Sequence, residues 1–195
     1  IPQVTQKIKI QQNGIVPFEL KNIEFASLDD EFPEGVFKKM LRDAEGDPHK
    51  AKVKITCKNF DLETFYSLSE LSNISTLADE INWFQIEFLE GKMHVTGYRL
   101  KRTQGLLLRG WKVFGSDDDS IPLSKWTLID ERYETKIQQY GILEYYEVKN
   151  VVPNQKFRFL RLVSDVDKWN GTKNLTFYNL DFFGDYYWES EYPFE

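Results

Sequence analysis

The sequence predicts an all-β domain, a jelly-roll β-sandwich with one or two short helices near the N-terminus. Three observations support this fold class. Many short segments alternate polar and apolar residues, as strands do when one of their faces is buried. Turn-forming residues separate these segments at short intervals. Aromatic residues make up 15% of the chain, and they favour strands and large packed cores.

The strands are predicted from this alternation. In residues 52–56, Val53 and Ile55 share one face, and residues 84–88 alternate along their whole length. We expect both segments to be half-buried antiparallel strands. Further strands are predicted at residues 7–10, 95–101, 108–114, 126–130, 143–148, 157–163 and 175–183.

One helix is predicted between Pro33, which suits a helix start, and Gly46, which suits a stop. Apolar residues recur there at helical spacing, at Val36, Phe37, Met40, Leu41 and Ala44. A weaker helical pattern covers residues 62–71.

Composition excludes several classes of protein. No apolar run reaches the roughly 18 residues of a membrane-spanning helix, and no secretory signal is visible. The net charge of −6 argues against a nucleic-acid binder. The single cysteine, Cys57, excludes an intrachain disulfide and favours a reducing compartment. We therefore expect a cytoplasmic protein, with an extracellular location left open.

The sequence shows no catalytic constellation. His49 and His94 lack the spacing of metal ligands, and Cys57 has no histidine in a recognisable signature. The acidic run 117–119 lacks the spaced pattern of a calcium loop and is interpreted as a solvated turn. We therefore expect a non-catalytic binding module that holds no metal and no cofactor.

A series of motifs runs through the C-terminal two thirds of the chain. They read WFQIEF (83–88), VTGYRL (95–100), GWKVFGSDD (110–118), WTLID (126–130), FRFLRL (157–162) and LTFYNLDFFG (175–184). In this order and spacing the chain resembles the discoidin family, the coagulation factor five/eight type C domain of the galactose-binding-like superfamily. The upstream part is similar to the intracellular discoidin-like domains of protists, and the resemblance covers roughly residues 18–184.

The resemblance implies a single domain over residues 1–184, a jelly roll of about eight strands whose first and last strands lie together. Many family members hold a structural calcium near an Asp-Gly-Asp element, but residues 73–80 do not contain it. Extracellular members join their ends by a disulfide, which this chain cannot form. The missing Asp-Gly-Asp element favours a domain without metal, with a structural calcium left open as the alternative, and the missing disulfide favours an intracellular protein.

The resemblance also implies that loops at one end of the sandwich bind a sugar, an anionic phospholipid or a protein. Residues 102–109 form the first candidate loop, a basic stretch with an apolar tip, and its contacts would be Arg102, Leu106, Leu107 and Arg109. The alternative is that the leucines begin the next core strand. Residues 165–172 form the second loop, and its contacts would be Asp167, Trp169 and Asn170. Here the alternative is a tryptophan packed on the sandwich rim.

Residues 185–195 are acidic and aromatic and follow the last family motif, so we expect a tail that the fold does not require. Its aromatic residues suit a basic, grooved partner, and they are Tyr186, Tyr187, Trp188, Tyr192 and Phe194. The alternative is a strap packed on the domain's own surface.

The function expected from these features is protein binding, as a scaffold component of a larger intracellular assembly, cytoskeletal or ciliary. The alternative is an adhesion or lectin domain that binds carbohydrate or anionic phospholipid. Glycosylation sequons at Asn73, Asn170 and Asn174 would favour an extracellular protein, and we interpret them as coincidence.

Overall fold

The computed structural model describes residues 9–18, 35–56, 74–75, 83–101, 108–133, 143–164, 176–177 and 179–193. The strands in these ranges are β1 (Lys9–Phe18), β2 (Val53–Thr56), β3 (Ile74–Ser75), β4 (Trp83–Phe88), β5 (Gly91–Lys101), β6 (Gly110–Ser116), β7 (Thr127–Tyr133), β8 (Leu143–Glu147), β9 (Phe159–Val163), β10 (Thr176–Phe177) and β11 (Asn179–Pro193). Helix α1 (Val36–Asp43) lies between β1 and β2.

The strands form two antiparallel sheets that pack as a sandwich. The four-stranded sheet has the order β1-β11-β5-β8, and the five-stranded sheet has the order β2-β4-β9-β6-β7. The short strands β10 and β3 pair separately. The first and last strands pair along ten residues, from Lys9 opposite Pro193 to Phe18 opposite Gly184. The predicted β-sandwich is therefore confirmed, and its end strands lie together.

The predicted strands from residue 52 onwards each overlap an observed strand. The helix is shorter than its sequence signals suggested, since it begins at Val36 and ends at Asp43. The weaker helical pattern at 62–71, and Cys57, lie outside the described residues.

The expectation of a C-terminal tail was wrong for residues 185–193, because these residues continue β11. Asp185 lies opposite Pro17 on one side and His94 on the other, and Trp188 lies opposite Gly14 and Gly91. Residues 185–188 have a strand on both sides and lie in the interior of the sheet, whereas residues 189–193 pair with β1. The family motifs end before this segment, so they carry no signal for it.

The core lies between the two sheets and is rich in aromatic rings. In β4 the alternate residues Phe84, Ile86 and Phe88 are completely buried. Helix α1 closes one side of the core, where the ring of Phe37 meets that of Phe182 edge to face at 5.8 Å. The predicted helical face is the buried face, as its spacing indicated.

A polar network crosses the core and joins the sheets. The hydroxyl of Tyr98 on β5 donates to Asp130 Oδ2 on β7 at 2.6 Å and accepts from Trp111 Nε1 on β6 at 2.9 Å. Arg132 Nε donates to the same carboxylate oxygen at 2.7 Å. Burial, and then Asp130, raise the pKa of Tyr98, so the phenol stays protonated as a donor.

We expect Asp130→Ala to lower the free energy of unfolding by about 2–3 kcal/mol, because the Tyr98 hydroxyl and Arg132 lose a charged acceptor inside the fold. Urea denaturation followed by tryptophan fluorescence would measure the loss. Asp118→Ala is the control, since Asp118 is exposed and bonds locally to Ser120. A loss no larger for Asp130 than for Asp118 would show that the network contributes little.

Candidate binding surface

The strand ends that flank both candidate ligand loops meet at one end of the sandwich. Lys101 ends β5 before the first loop, Gly110 begins β6 after it, and Val163 ends β9 before the second loop. Gly110 lies opposite Tyr133, and Val163 lies opposite Trp83. We call this the loop end.

Most of the predicted loop contacts lie outside the described residues, namely Arg102, Leu106, Leu107, Asp167, Trp169 and Asn170, and so does Phe194 of the tail. Their binding role stays a prediction. Arg109 is described, and it donates from Nη2 to the Tyr133 hydroxyl with its guanidinium carbon 5.1 Å from the centre of that ring. Leu108 beside it is completely buried, as expected of a residue that enters a core strand.

The aromatic residues predicted for a docking tail have different environments. Tyr186 is only 8% exposed and its ring lies 5.6 Å from that of Phe88, so it belongs to the core and is removed from the docking prediction. Tyr187 is half-buried, with Lys156 Nζ 4.2 Å from its ring centre. Trp188 also packs partly against the core, while the backbone of Tyr192 pairs with Ile10 in β1.

The outer face of the five-stranded sheet holds a stack of arginine and tryptophan. The guanidinium carbon of Arg161 lies 4.6 Å from the ring centre of Trp83 and 4.3 Å from that of Trp126. Arg161 Nε donates to Gln85 Oε1 at 3.1 Å, and Gln85 Nε2 donates to Asp119 Oδ2 at 3.3 Å. The side chain of Arg161 is therefore held in one orientation by stacking and by hydrogen bonds.

The pKa of Arg161 is consistent with a charged side chain in this stack. Partial burial lowers the pKa of Arg161, and the nearby carboxylate of Asp119 acts in the opposite direction. The group remains charged at any physiological pH, because an arginine starts from a very high pKa. The stack thus places a cation between two aromatic rings, of which Trp83 is half-buried and Trp126 is buried.

Exposed apolar side chains lie beside this stack on strands β6 and β7. Leu128 is 45% exposed and lies opposite Phe114, and Tyr133 is 52% exposed at the loop end. Between them Lys112 Nζ and Glu131 Oε1 form an ion pair at 3.7 Å. We call the combined surface the outer patch, and it consists of Trp83, Arg109, Phe114, Leu128, Tyr133 and Arg161. Trp126 is only 6% exposed and supports the patch from beneath Arg161.

Most of the outer patch was not predicted from the sequence, because the alternation of residues was used to find only the buried half of each strand. Alternate residues of a strand point to opposite faces. The positions between Leu160 and Leu162, and before Phe84, are therefore outward-facing, and they hold Arg161 and Trp83. Large aromatic and arginine residues at outward positions were the available signal.

The titratable groups singled out in the sequence have local structural partners. Asp117 accepts from Lys92 Nζ and from the backbone N–H of Arg158, and hydrogen bonds from Ser120 lower the pKa of Asp118. Among the described residues, no group of three or more histidine, cysteine, aspartate or glutamate side chains is placed to hold a metal ion.

The backbone N–H of His49 donates to Asp47 Oδ1 at 2.9 Å, and the His94 ring nitrogen Nδ1 lies 2.5 Å from the Gln155 carbonyl oxygen. The His94 contact is typical of a structural histidine, whereas the His49 contact involves only its backbone. No helix in the described ranges is long and apolar enough to span a bilayer.

No family model and no curated protein matches the chain. It is similar to solved structures that include CBM62 from Clostridium thermocellum Xyl5A, at 16% identity over 69% of this chain and 94% of that chain, with a TM-score of 0.48. An F5/8 type C domain from Bacteroides fragilis is 11% identical over 68% and 91% of the two chains, with a TM-score of 0.44.

A family 89 glycoside hydrolase from Clostridium perfringens is 10% identical over 68% of this chain, with a TM-score of 0.44, and the match spans 14% of the hydrolase. At these identities and TM-scores the likenesses concern the backbone alone. The assignment of the sandwich depends on the strand pairing described above.

Proposed function

We propose that this β-sandwich is a non-catalytic module that binds another protein through the outer patch. The observation that carries the proposal is the stack of Arg161 between Trp83 and Trp126, next to the exposed side chains of Leu128 and Tyr133. Tryptophan, tyrosine and arginine are the residue types that dominate the binding energy of protein interfaces.

The arrangement of the outer patch supports a protein as the ligand. Its apolar side chains lie beside charged groups. The Lys112–Glu131 pair lies between Leu128 and Tyr133, and the Arg158 guanidinium pairs with Glu87 on the same sheet. Protein interfaces combine apolar and charged groups in this way. Because Arg161 is already held in place, little side-chain entropy would be lost when a partner binds.

More specifically, we propose that the module is a scaffold component of an intracellular assembly, cytoskeletal or ciliary. The single cysteine and the resemblance to intracellular protist domains support it. Tyr187, Trp188 and Tyr192 remain proposed partner contacts on β11, at the side of the sandwich formed by the four-stranded sheet.

The test is capture from source-cell lysate by the immobilised protein, with Leu128→Asp compared with Leu89→Asp. Both leucines are about equally exposed, at 45% and 47%, but Leu89 lies in the turn between β4 and β5, away from the outer patch. We expect a defined protein that wild type and Leu89→Asp capture equally, and that Leu128→Asp captures at least about tenfold less well, because a charge would enter the apolar centre. Equal capture by both variants would exclude the outer patch as the site.

A second candidate function is binding of a sugar or an anionic lipid at the loop end. It is favoured by the exposed ring of Tyr133 beside the cation of Arg109, at the end where the strands flanking both candidate loops terminate. An aromatic ring can stack on a sugar face, and an arginine can meet a phosphate.

Glycosidase treatment of the lysate separates the two functions, since a lectin loses its ligand and a protein-binding module keeps it. Vesicles of anionic phospholipid test the lipid directly. Binding that falls steeply with salt and is reduced by Arg109→Ala would support a lipid surface.

A further inference from the structure

The long strand β1 forms one edge of the four-stranded sheet. Its ten residues pair with β11 without a register shift, and the sheet order places no further strand beyond it among the described residues. The opposite edge, β8, pairs with β5 along only five residues. An edge strand presents backbone N–H and C=O groups that can pair with another chain, and the number of such groups grows with its length.

Among the described residues, part of this edge continues past the end of β5 as a ribbon of two strands, β1 and β11. The pairing of β11 with β5 ends at Trp188 opposite Gly91, whereas its pairing with β1 continues to Pro193 opposite Lys9. The five pairs from Asn13–Glu189 to Lys9–Pro193 span about 13 Å at the usual rise of a strand. A ribbon of two strands is marginal in water, and additional strands stabilise it.

The composition of β1 differs from that of a protected edge. Proteins usually blunt exposed edges with charges, prolines or bulges. In β1 the only charge is Lys9 and the only proline is Pro17, and the seven residues between positions 10 and 16 read Ile-Gln-Gln-Asn-Gly-Ile-Val. This uncharged window can lie beside an identical strand without placing like charges together.

We propose that two copies of this chain pair through their β1 strands, antiparallel about a two-fold axis at Asn13. This register places Ile10 opposite Val16 of the second copy and Asn13 opposite itself. It joins the two four-stranded sheets into one sheet of eight strands. Cross-strand pairs of β-branched residues favour such a ladder, and a two-fold contact closes on itself without forming a filament.

Charge distinguishes this contact from self-pairing through the other strand of the ribbon, β11. The β11 residues 189–193 read Glu-Ser-Glu-Tyr-Pro, and a self-pairing centred there would place Glu191 opposite Glu191 of the second copy. Like charges opposite each other on neighbouring strands are destabilising. The β1 edge is therefore the self-complementary edge of the ribbon.

Pairing of this kind has a functional consequence. An antiparallel two-fold contact within one sheet has its axis perpendicular to the sheet, so both five-stranded sheets lie on the same side. The dimer would present two outer patches in one direction. Two linked sites can bind a repetitive partner more tightly than one by up to several orders of magnitude.

Sedimentation equilibrium of the full chain over a range of concentrations tests the proposal, with Asn13→Lys as the disrupting variant. This change places two cations opposite each other at the axis. Within one copy, residue 13 is paired in register with Glu189, and opposite charges at paired positions favour the ribbon. Asn150→Lys, at an exposed loop position, is the control for added charge. We expect wild type and Asn150→Lys to dimerise alike, and Asn13→Lys to raise the dissociation constant at least about tenfold.

A second measurement tests the register without depending on affinity. In a Cys57→Ser background, Asn13→Cys should form an interchain disulfide on mild oxidation, since the two positions are direct neighbours across the axis. Lys9→Cys should not, because in this register the two copies of residue 9 lie about 27 Å apart. A wild type that stays monomeric at every concentration, or cross-linking that is equal at both positions, would overturn the proposal.

Discussion

Replacement of Asp181 by alanine is expected to lower the free energy of unfolding by about 4 kcal/mol, and Tm by about 10 °C. The Asp181 carboxylate is completely buried on β11. It accepts the backbone N–H groups of Phe37 at 2.8 Å, Lys38 at 3.2 Å and Phe182 at 2.8 Å. Arg99, also completely buried, places Nη2 3.4 Å from Oδ2. Alanine would remove an anchor of helix α1 and the carboxylate that balances a buried cation.

The charge state of Asp181 is set by opposing effects. Burial raises the pKa of its carboxyl, whereas Arg99 and the three backbone N–H groups favour the ionised form. Gly35 precedes the helix at this point, and any side chain there would collide with the carboxylate, since its Cβ would lie 2.2 Å from Asp181 Cγ. The end of the helix and the carboxylate are therefore packed as one unit.

Differential scanning calorimetry and urea denaturation would measure the loss, and a double-mutant cycle would identify its cause. Arg99→Met combined with Asp181→Ala should cost less than the sum of the two single changes, because removal of both partners leaves no unbalanced charge. Hydrogen exchange at the amides of Phe37 and Lys38 should accelerate in Asp181→Ala. Strict additivity, with unchanged exchange, would argue against the anchor.

The second large effect is expected for Gly184→Ala, at about 4 kcal/mol. Gly184 has φ +135°, and the pairing of β11 with β5 shifts register between Phe183 and Gly184. A Cβ at this position would lie 1.9 Å from the carbonyl oxygen of His94, which is backbone and cannot swing away. The backbone strain contributes about 1–3 kcal/mol and the overpacking a similar amount.

Gly46→Ala is the matched control for Gly184→Ala. Gly46 also has a positive φ, +77°, but a Cβ there would have no atom within 4 Å. We expect a loss of only about 1 kcal/mol, from the left-handed backbone alone. Chemical denaturation of wild type, Gly184→Ala and Gly46→Ala separates backbone strain from steric collision. Equal losses of unfolding free energy in the two variants would contradict the collision at His94.

The strands and the helix could be predicted from the sequence because their signals are local. Alternation in residues 84–88 and helical spacing from Val36 to Ala44 each report on a few neighbouring side chains that share one buried face. The resemblance to discoidin domains added the expectation that the first and last strands lie together. The pairing of β1 with β11 agrees with that expectation.

The candidate binding surface could not be predicted in the same way, because its parts come from distant segments. Gln85 and Arg161 are 76 positions apart in sequence, and only the register of β4 against β9 places their side chains together. The tail was misjudged for a related reason. Strand pairing of residues 185–193 depends on β1, at the other end of the chain.

The sequence by itself determined most of the strands between residues 52 and 183, the buried face of helix α1, and that the domain is a β-sandwich. Only the tertiary structure decided that Asp181 anchors helix α1, that Gly184 must lack a side chain, and that Arg161 stacks between two tryptophans. The physical reason is that burial patterns are properties of one segment, whereas register and contact between sheets are properties of pairs of segments. Which side chains contact each other depends on how the strands pair, and strand pairing depends on segments from all parts of the chain.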